Sequence, residues 1–234
     1  MVFRIENLFP TPNFRAPQPF RHNYLLKSYI GIFIFFWVFT GATATDFINW
    51  SLENSLTIPA VILIIWFYRR MPFTNASYTL ILIFLLFHLY GSQNAYAKNP
   101  FGFWLQEQFN TSRNHYDRIV HFSFGFLLAY PIQEILVKVF NEKSWRLYLI
   151  PIELALSLSA FYEIVEWLVA GVFFPEAGMA FLGAQGDVWD SQKDMFLATL
   201  GAFITMSYVL LSRIISKEQS EKRQVTASEK SSAL

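Results

Sequence analysis

Six long apolar runs, separated by short polar stretches, leave this chain few folds to choose from. A helix rising 1.5 Å per residue needs about twenty apolar residues to cross roughly 30 Å of hydrocarbon. The runs have that length and do not alternate, so a strand reading fails. The spacing predicts an all-α polytopic membrane protein, a bundle of six transmembrane helices over residues 27–45, 48–68, 76–96, 117–139, 147–173 and 190–214. Glu53 and Asn54 interrupt the first turns of the second span.

Composition agrees and narrows the function classes. Only 15% of residues are charged, against about 25% in soluble domains, and 26 Phe suit surfaces that face lipid. With no Cys, disulfides and thiolate chemistry are excluded. Phosphate-cradling glycine loops and zinc-finger spacings are absent, and the basic residues merely flank apolar segments, so nucleic acid is not an expected partner. Residues 1–26 read as an amphipathic, Pro-bearing cytoplasmic arm, 27–214 as the membrane domain, and 215–234 as a polar, disordered cytoplasmic tail. Ala42-Thr43-Ala44 mimics a signal-peptidase site, but the arm before it is long for a signal peptide.

Lys and Arg set the expected orientation. With six spans, fourteen of the 18 basic residues fall on the side of the termini. Lys98, Arg113, Arg118 and Lys193 fall on the other. Both termini are therefore expected in the cytoplasm, for a chain that contacts the lipid bilayer.

With that topology ten of the 17 acidic residues gather on the extracytoplasmic half, beside three histidines. The dense part reads Asn114-His115-Tyr116-Asp117-Arg118 with His121, then Glu163-x-x-Glu166-Trp167, then Gln185-Gly186-Asp187-x-x-Asp190 with Asp194. Asp117 and His121 are spaced i,i+4, and Glu163 and Glu166 i,i+3, so each pair shares a helix face. Asp187, Asp190 and Asp194 form one stripe leading into the sixth helix. Asp117 and Asp190 also stand where a helix cap is expected. His88 on the third helix, Asp46 and Glu53 are weaker candidates. Glu134 and Glu153 are expected to be paired or snorkelling.

Several carboxylates at one depth near lipid cannot all stay ionised without compensation. Three kinds of compensation are open. A shared proton makes one carboxyl a general acid or base. A divalent cation (magnesium, manganese or zinc) would take ligands from His115, His121, Glu163, Glu166, Asp187, Asp190 and Asp194. Arg118 and Lys193 could instead pair with the acids and lock the helices together, with no chemistry. The apolar, Gly-punctuated segment with Gly171, Gly178, Phe181, Leu182, Gly183 and Gly186 is expected to be a lid over the cluster. Residues 97–114 would form a second cover.

These residues also carry a resemblance. The run from Arg113 to Arg118 with His121, Phe122 and Gly125 resembles the YjdF family of bacterial inner-membrane proteins. So do Tyr162-Glu163-x-x-Glu166-Trp167 and the segment from Gln185 to Met195. The likeness covers about residues 46–201 and implies no established activity. A looser one, carried by Asp117-Arg118-x-x-His121, Glu163 with Glu166, and Asp190 or Asp194 before Ala198-x-x-Gly201, is to VanZ-like membrane proteins. It implies an envelope role.

Three functions follow from the cluster. One is an enzyme acting on an envelope or lipid-linked substrate by metal-assisted or acid/base chemistry. Its catalytic candidates are Asp117, His121, Glu163, Glu166, Asp190 and Asp194, with His121 as base and Asp117 orienting it. The second is a non-catalytic scaffold or accessory protein. The third is a cation- or proton-coupled transporter, for which Glu134, Glu153, Ser157 and Ser159 offer a sparse path.

Overall fold

A computed structural model describes residues 9–15, 17–173 and 184–232. All its regular structure is helical, and six helical segments are long and apolar enough to cross a membrane. The first span is α1, Tyr24–Ala42. The second is broken into α2, Phe47–Asn54, and α3, Thr57–Arg70. Next come α4, Asn75–Gln93, the short α5, Pro100–Phe109, and α6, Tyr116–Lys138. Then α7, Arg146–Leu168, continues into a wider π turn, Val169–Phe173, and α8 begins at Asp190.

The break in the second span lies where Glu53 and Asn54 interrupt the apolar run. A polar side chain can sit there because its partners are supplied. The Asn54 amide donates to the Trp50 carbonyl at 2.8 Å and to Ser92 Oγ at 3.1 Å, and its oxygen accepts from Trp37 Nε1 at 2.9 Å. Asp46 caps α2 through the amides of Ile48 and Asn49, a local role. Pro59 falls in the first turn of α3, where its missing N–H breaks no helical bond.

The most enclosed span is α6, which packs against α4, α7 and α8. Its contact with α8 is the closest in the bundle and depends on small residues. A Cβ on Gly125 would collide with the Ala198 carbonyl, and one on Gly201 with the Phe122 carbonyl. Ala129, Ala198 and Ala202 continue the seam, fully buried. In lipid, such small-residue seams let helix backbones approach where no hydrophobic force drives association. By contrast α1 turns Ile30, Ile34, Phe35 and Val38 outward and buries little.

Successive spans reverse direction, so α1, α4 and α7 end where α6 and α8 begin. At the opposite end Glu134 is wholly buried. It accepts from Thr74 N at 2.8 Å, Thr74 Oγ1 at 2.9 Å and Lys138 Nζ at 2.6 Å, the pairing expected of it. At that end Tyr148 donates to the Pro10 carbonyl at 2.6 Å and Phe14 meets Tyr130 edge-on, so the described part of the N-terminal arm is packed down. The helix α8 runs to Ser232, through residues expected to be a disordered tail. Lys, Glu, Gln and Arg are good helix formers, so a helix already nucleated in the membrane can continue through them.

Candidate active site

The acidic end of the bundle separates into two regions, a charged clasp at the rim and a cluster of acids further in. The clasp joins the strand of chain before α6 to the start of α8. Gln185 grips the Asn114 peptide from both sides, accepting from its N–H at 2.9 Å and donating to its carbonyl at 2.9 Å. The Asn114 amide donates to the Asn99 carbonyl at 2.9 Å and accepts from Tyr116 N at 3.0 Å. Gly102 of α5 lies directly against that amide, where a Cβ would collide with it. The expected cover over 97–114 is thus a 3-10 turn at Tyr96–Lys98 followed by α5, pinned through Asn99 and Asn114.

Charge pairing completes the clasp. Arg113 grips Asp190 with both terminal guanidinium nitrogens, the longer contact being 3.2 Å to Oδ2. Arg118 reaches Asp187 Oδ2 at 2.5 Å and Asp190 Oδ1 at 3.1 Å. Lys193 reaches Asp187 at 2.6 Å. Bidentate, charge-assisted bonds of this kind are the strong ones. The Lys193 ammonium, then the Trp189 N–H, with Arg118 adding to them, hold the Asp187 carboxyl below its ordinary value of 3.8. His115, half-buried with Arg118 beside it, has its imidazole pushed below 6.5, by burial first and then by the guanidinium. The helix caps differ from expectation. Asp187 accepts from the Trp189 N–H at 3.1 Å in the turn before α8, while Asp190, the first residue of the helix, pairs with Arg113. Asp117 lies inside the first turn of α6 with its side chain buried. An outward-facing cap would leave that carboxylate to water, whereas α7 and α8 packed on α6 draw it inward.

The inner cluster has no such cations. Among the described residues, no Lys or Arg lies within ion-pair distance of Asp117, Glu163, Glu166 or Asp194. All four are buried, with Asp194 only 1% exposed. His121 is the hub. Its Nε2 lies 3.7 Å from Asp117 Oδ1 and 3.4 Å from Glu163 Oε1, and its Nδ1 lies 3.2 Å from Ser159 Oγ. Asp117, His121 and Asp194 each present one ligand atom within 4.8 Å of the other two. Asp194 Oδ1 has no hydrogen-bond partner among the described residues. Among the described residues this is the one group of three His or carboxylate side chains that close together. Glu163 stands behind His121, Glu166 interacts with Asp117 and Glu163, and His115, Asp187 and Asp190 belong to the clasp.

A cavity of about 290 Å³ adjoins the cluster, with Asp117, His121, Ser159 and Tyr162 on its inner wall. His88 lines it too, but both ring nitrogens are engaged, Nε2 with Thr57 Oγ1 at 2.9 Å and Nδ1 with the Tyr96 hydroxyl at 2.5 Å. His88 therefore ties α3 and α4 to the turn that follows α4. Glu53, a weak candidate from sequence, is buried and accepts from the Tyr162 hydroxyl at 2.8 Å. The sequence reading missed Tyr162 and Ser159 as neighbours of His121. The signal was present, since Ser159, Glu163 and Glu166 fall at i, i+4, i+7 on one face of α7. It also did not foresee Arg113 as the partner of Asp190. Of the expected lid, Glu176, Gly178, Phe181, Leu182 and Gly183 lie outside the described residues.

Two carboxylates and one imidazole are a hard, oxygen-rich donor set that suits manganese, magnesium or zinc and leaves coordination positions for substrate. Without a cation, the same carboxylates must share protons.

The family described as "Predicted membrane protein (DUF2238)" matches residues 25–215. The inner membrane protein YjdF of Escherichia coli (strain K12) is 38% identical over 173 residues, 74% of this chain and 82% of that protein. No solved structure matches the chain. On that match and that identity, with six membrane-spanning helices, the chain belongs to the DUF2238 family and is a multi-pass inner-membrane protein.

Proposed function

We propose that this protein is a membrane-embedded enzyme whose centre is a divalent cation held by Asp117, His121 and Asp194, acting on an envelope or lipid-linked substrate by hydrolysis or group transfer. The observation that carries the reading is the Asp194 carboxylate. It is buried beside Asp117 and His121, and among the described residues one of its oxygens has no hydrogen-bond partner and no Lys or Arg comes within ion-pair distance of it. A carboxylate in that state is costly unless a proton or a cation offsets it. A bound cation would activate water or polarise a phosphoryl or carbonyl group. Ser159 Oγ, 3.2 Å from His121 Nδ1, orients the imidazole from its other nitrogen, and Glu163 and Glu166 supply nearby carboxyls for proton transfer.

The excess of Lys and Arg on the other side of the spans supports an orientation with both termini cytoplasmic and this centre at the extracytoplasmic face. The scaffold reading is favoured only at the clasp. There Asp187 and Asp190 meet Arg113, Arg118 and Lys193, and we assign these two acids a structural role.

Metal analysis of full-length protein purified in mild detergent, together with Mn²⁺ titration, tests the reading. We expect one cation per chain, lost in Asp194→Asn and His121→Ala but kept in Lys193→Ala. If wild-type protein holds none and titrations with Mn²⁺, Mg²⁺ and Zn²⁺ show no binding, the cation centre is wrong.

A further inference from the structure

The cavity beside His121 has two unlike walls, one polar and one apolar. The inner wall carries Asp117, His121 and Ser159; the outer wall is formed by Ala60, Phe84, Phe124, Leu158 and Phe161 among others. Leu158 and Phe161 line the cavity yet are 46% and 57% exposed on the outer face of α7, which marks them as its mouth. The opposite lip is the first turns of α3. That helix is held at its far end, where Ile64, Phe67 and Tyr68 pack on the cluster of Leu26, Phe73 and Tyr78. It does not pack along α7.

Depth identifies what the mouth faces. Leu158 is ten residues from the end of α7 at Leu168 and twelve from its start at Arg146, about 15 Å and 18 Å at the helical rise. The mouth therefore opens at mid-bilayer, where only hydrocarbon can approach. His121 is five residues into α6, about 7–8 Å from its start, near the level of lipid headgroups. A molecule filling the cavity would hold a polar head at His121 and run an apolar tail out between α3 and α7. At about 290 Å³ the space is at the small end of ligand pockets, which span about 300–1,000 Å³. It suits one chain rather than a diacyl lipid. Carboxylate-held divalent cations commonly take their remaining ligands from substrate phosphates.

From these features we infer that the cavity is a lateral entry for a single-chain lipid phosphate, which reaches the centre from within the bilayer. The identity of the head rests on the cation reading above; the sideways path of the tail does not.

The test uses full-length protein in phosphatidylcholine nanodiscs with Mn²⁺ and a pentadecyl phosphate carrying a diazirine at the tail end. After photolysis, adducts are mapped by mass spectrometry, and bound Mn²⁺ is measured in the same samples. The expected adducts cluster on the first turns of α3 and around Leu158 and Phe161. Labelling should fall at least tenfold in Ala60→Trp and in Leu158→Trp, which narrow the mouth from either lip. Leu211→Trp, on the lipid face of α8, should leave it unchanged. The matching alcohol should label the mouth at least tenfold less than the phosphate. Adducts spread evenly over lipid-facing helices, or insensitive to both mouth variants, overturn the lateral entry even if Mn²⁺ is bound. Equal labelling by alcohol and phosphate overturns the phosphate head. Mouth labelling without bound Mn²⁺ leaves the entry standing and refutes the cation centre.

Discussion

The clasp and the inner cluster are built from the same kinds of residue a few turns apart, and they are wired in opposite ways. In the clasp, Asp187 and Asp190 share Arg113, Arg118 and Lys193. Inside, Asp117, Glu163 and Asp194 surround one imidazole, and among the described residues no Lys or Arg comes within ion-pair distance of them. Paired charges hold helices together, whereas unpaired ones create a demand that a ligand can meet. The adjacency is instructive, because the clasp fixes the start of α8 and so fixes where Asp194, one turn further on, can lie.

Removing one partner of the clasp should have the largest effect. Arg113→Ala leaves Asp190 buried with only Arg118. We expect a loss of about 3–5 kcal/mol, the cost of breaking a buried pair, read as a drop in melting temperature in detergent. A melting temperature equal to wild type would mean that the clasp holds nothing. Next comes the seam that carries both regions. Gly125→Ala pushes α8 away from α6 at Ala198, with an expected cost of about 1–3 kcal/mol from overpacking. Because Asp194 and Asp117 sit on the two separated helices, cation affinity should fall along with stability.

The inner cluster should answer the other way round. Asp194→Asn removes a negative charge that forms no ion pair among the described residues, so stability should change by less than about 1 kcal/mol while Mn²⁺ affinity falls at least tenfold, about 1.4 kcal/mol. Strong destabilisation with unchanged Mn²⁺ binding would erase the distinction between the two regions. The smallest effect belongs to Lys193, which is 48% exposed. Lys193→Ala should lower melting only slightly at neutral pH, since exposed pairs contribute little. The difference should close in acid. Asp187 is held below its unfolded value of 3.8, so the stability it lends is complete above that pH and fades as pH falls below it. Without Lys193 the folded value rises toward the unfolded one, so that contribution shrinks and what is left fades at higher pH. Identical melting profiles for variant and wild type from neutral pH down into acid would remove Lys193 from the clasp.

Much of this architecture was legible in the chain because membrane helices are dictated by local composition. The six spans, the break at Glu53 and Asn54, the i,i+4 pairing of Asp117 with His121 and the pairing of Glu134 all follow from spacing and hydropathy. Lipid satisfies no backbone polar group, so an apolar run of that length has to be a helix. The division of labour among the acids was not legible. Asp187, Asp190 and Asp194 form one stripe in sequence, yet two of them pair with cations contributed from more than sixty residues away, while the third forms no ion pair among the described residues. His115 and His121 likewise look equivalent along the chain, but one faces Arg118 and the other Glu163.

The sequence alone determined that this is a six-span helical membrane protein with its acids gathered at one end, because the cost of exposing peptide groups and charges to lipid acts residue by residue. Which acids meet cations, which are buried without one in ion-pair distance among the described residues, and which side chains line the cavity beside His121 were decided only by the tertiary structure. Charge compensation acts over a few ångströms in space, and the small-residue seam between α6 and α8 sets those distances.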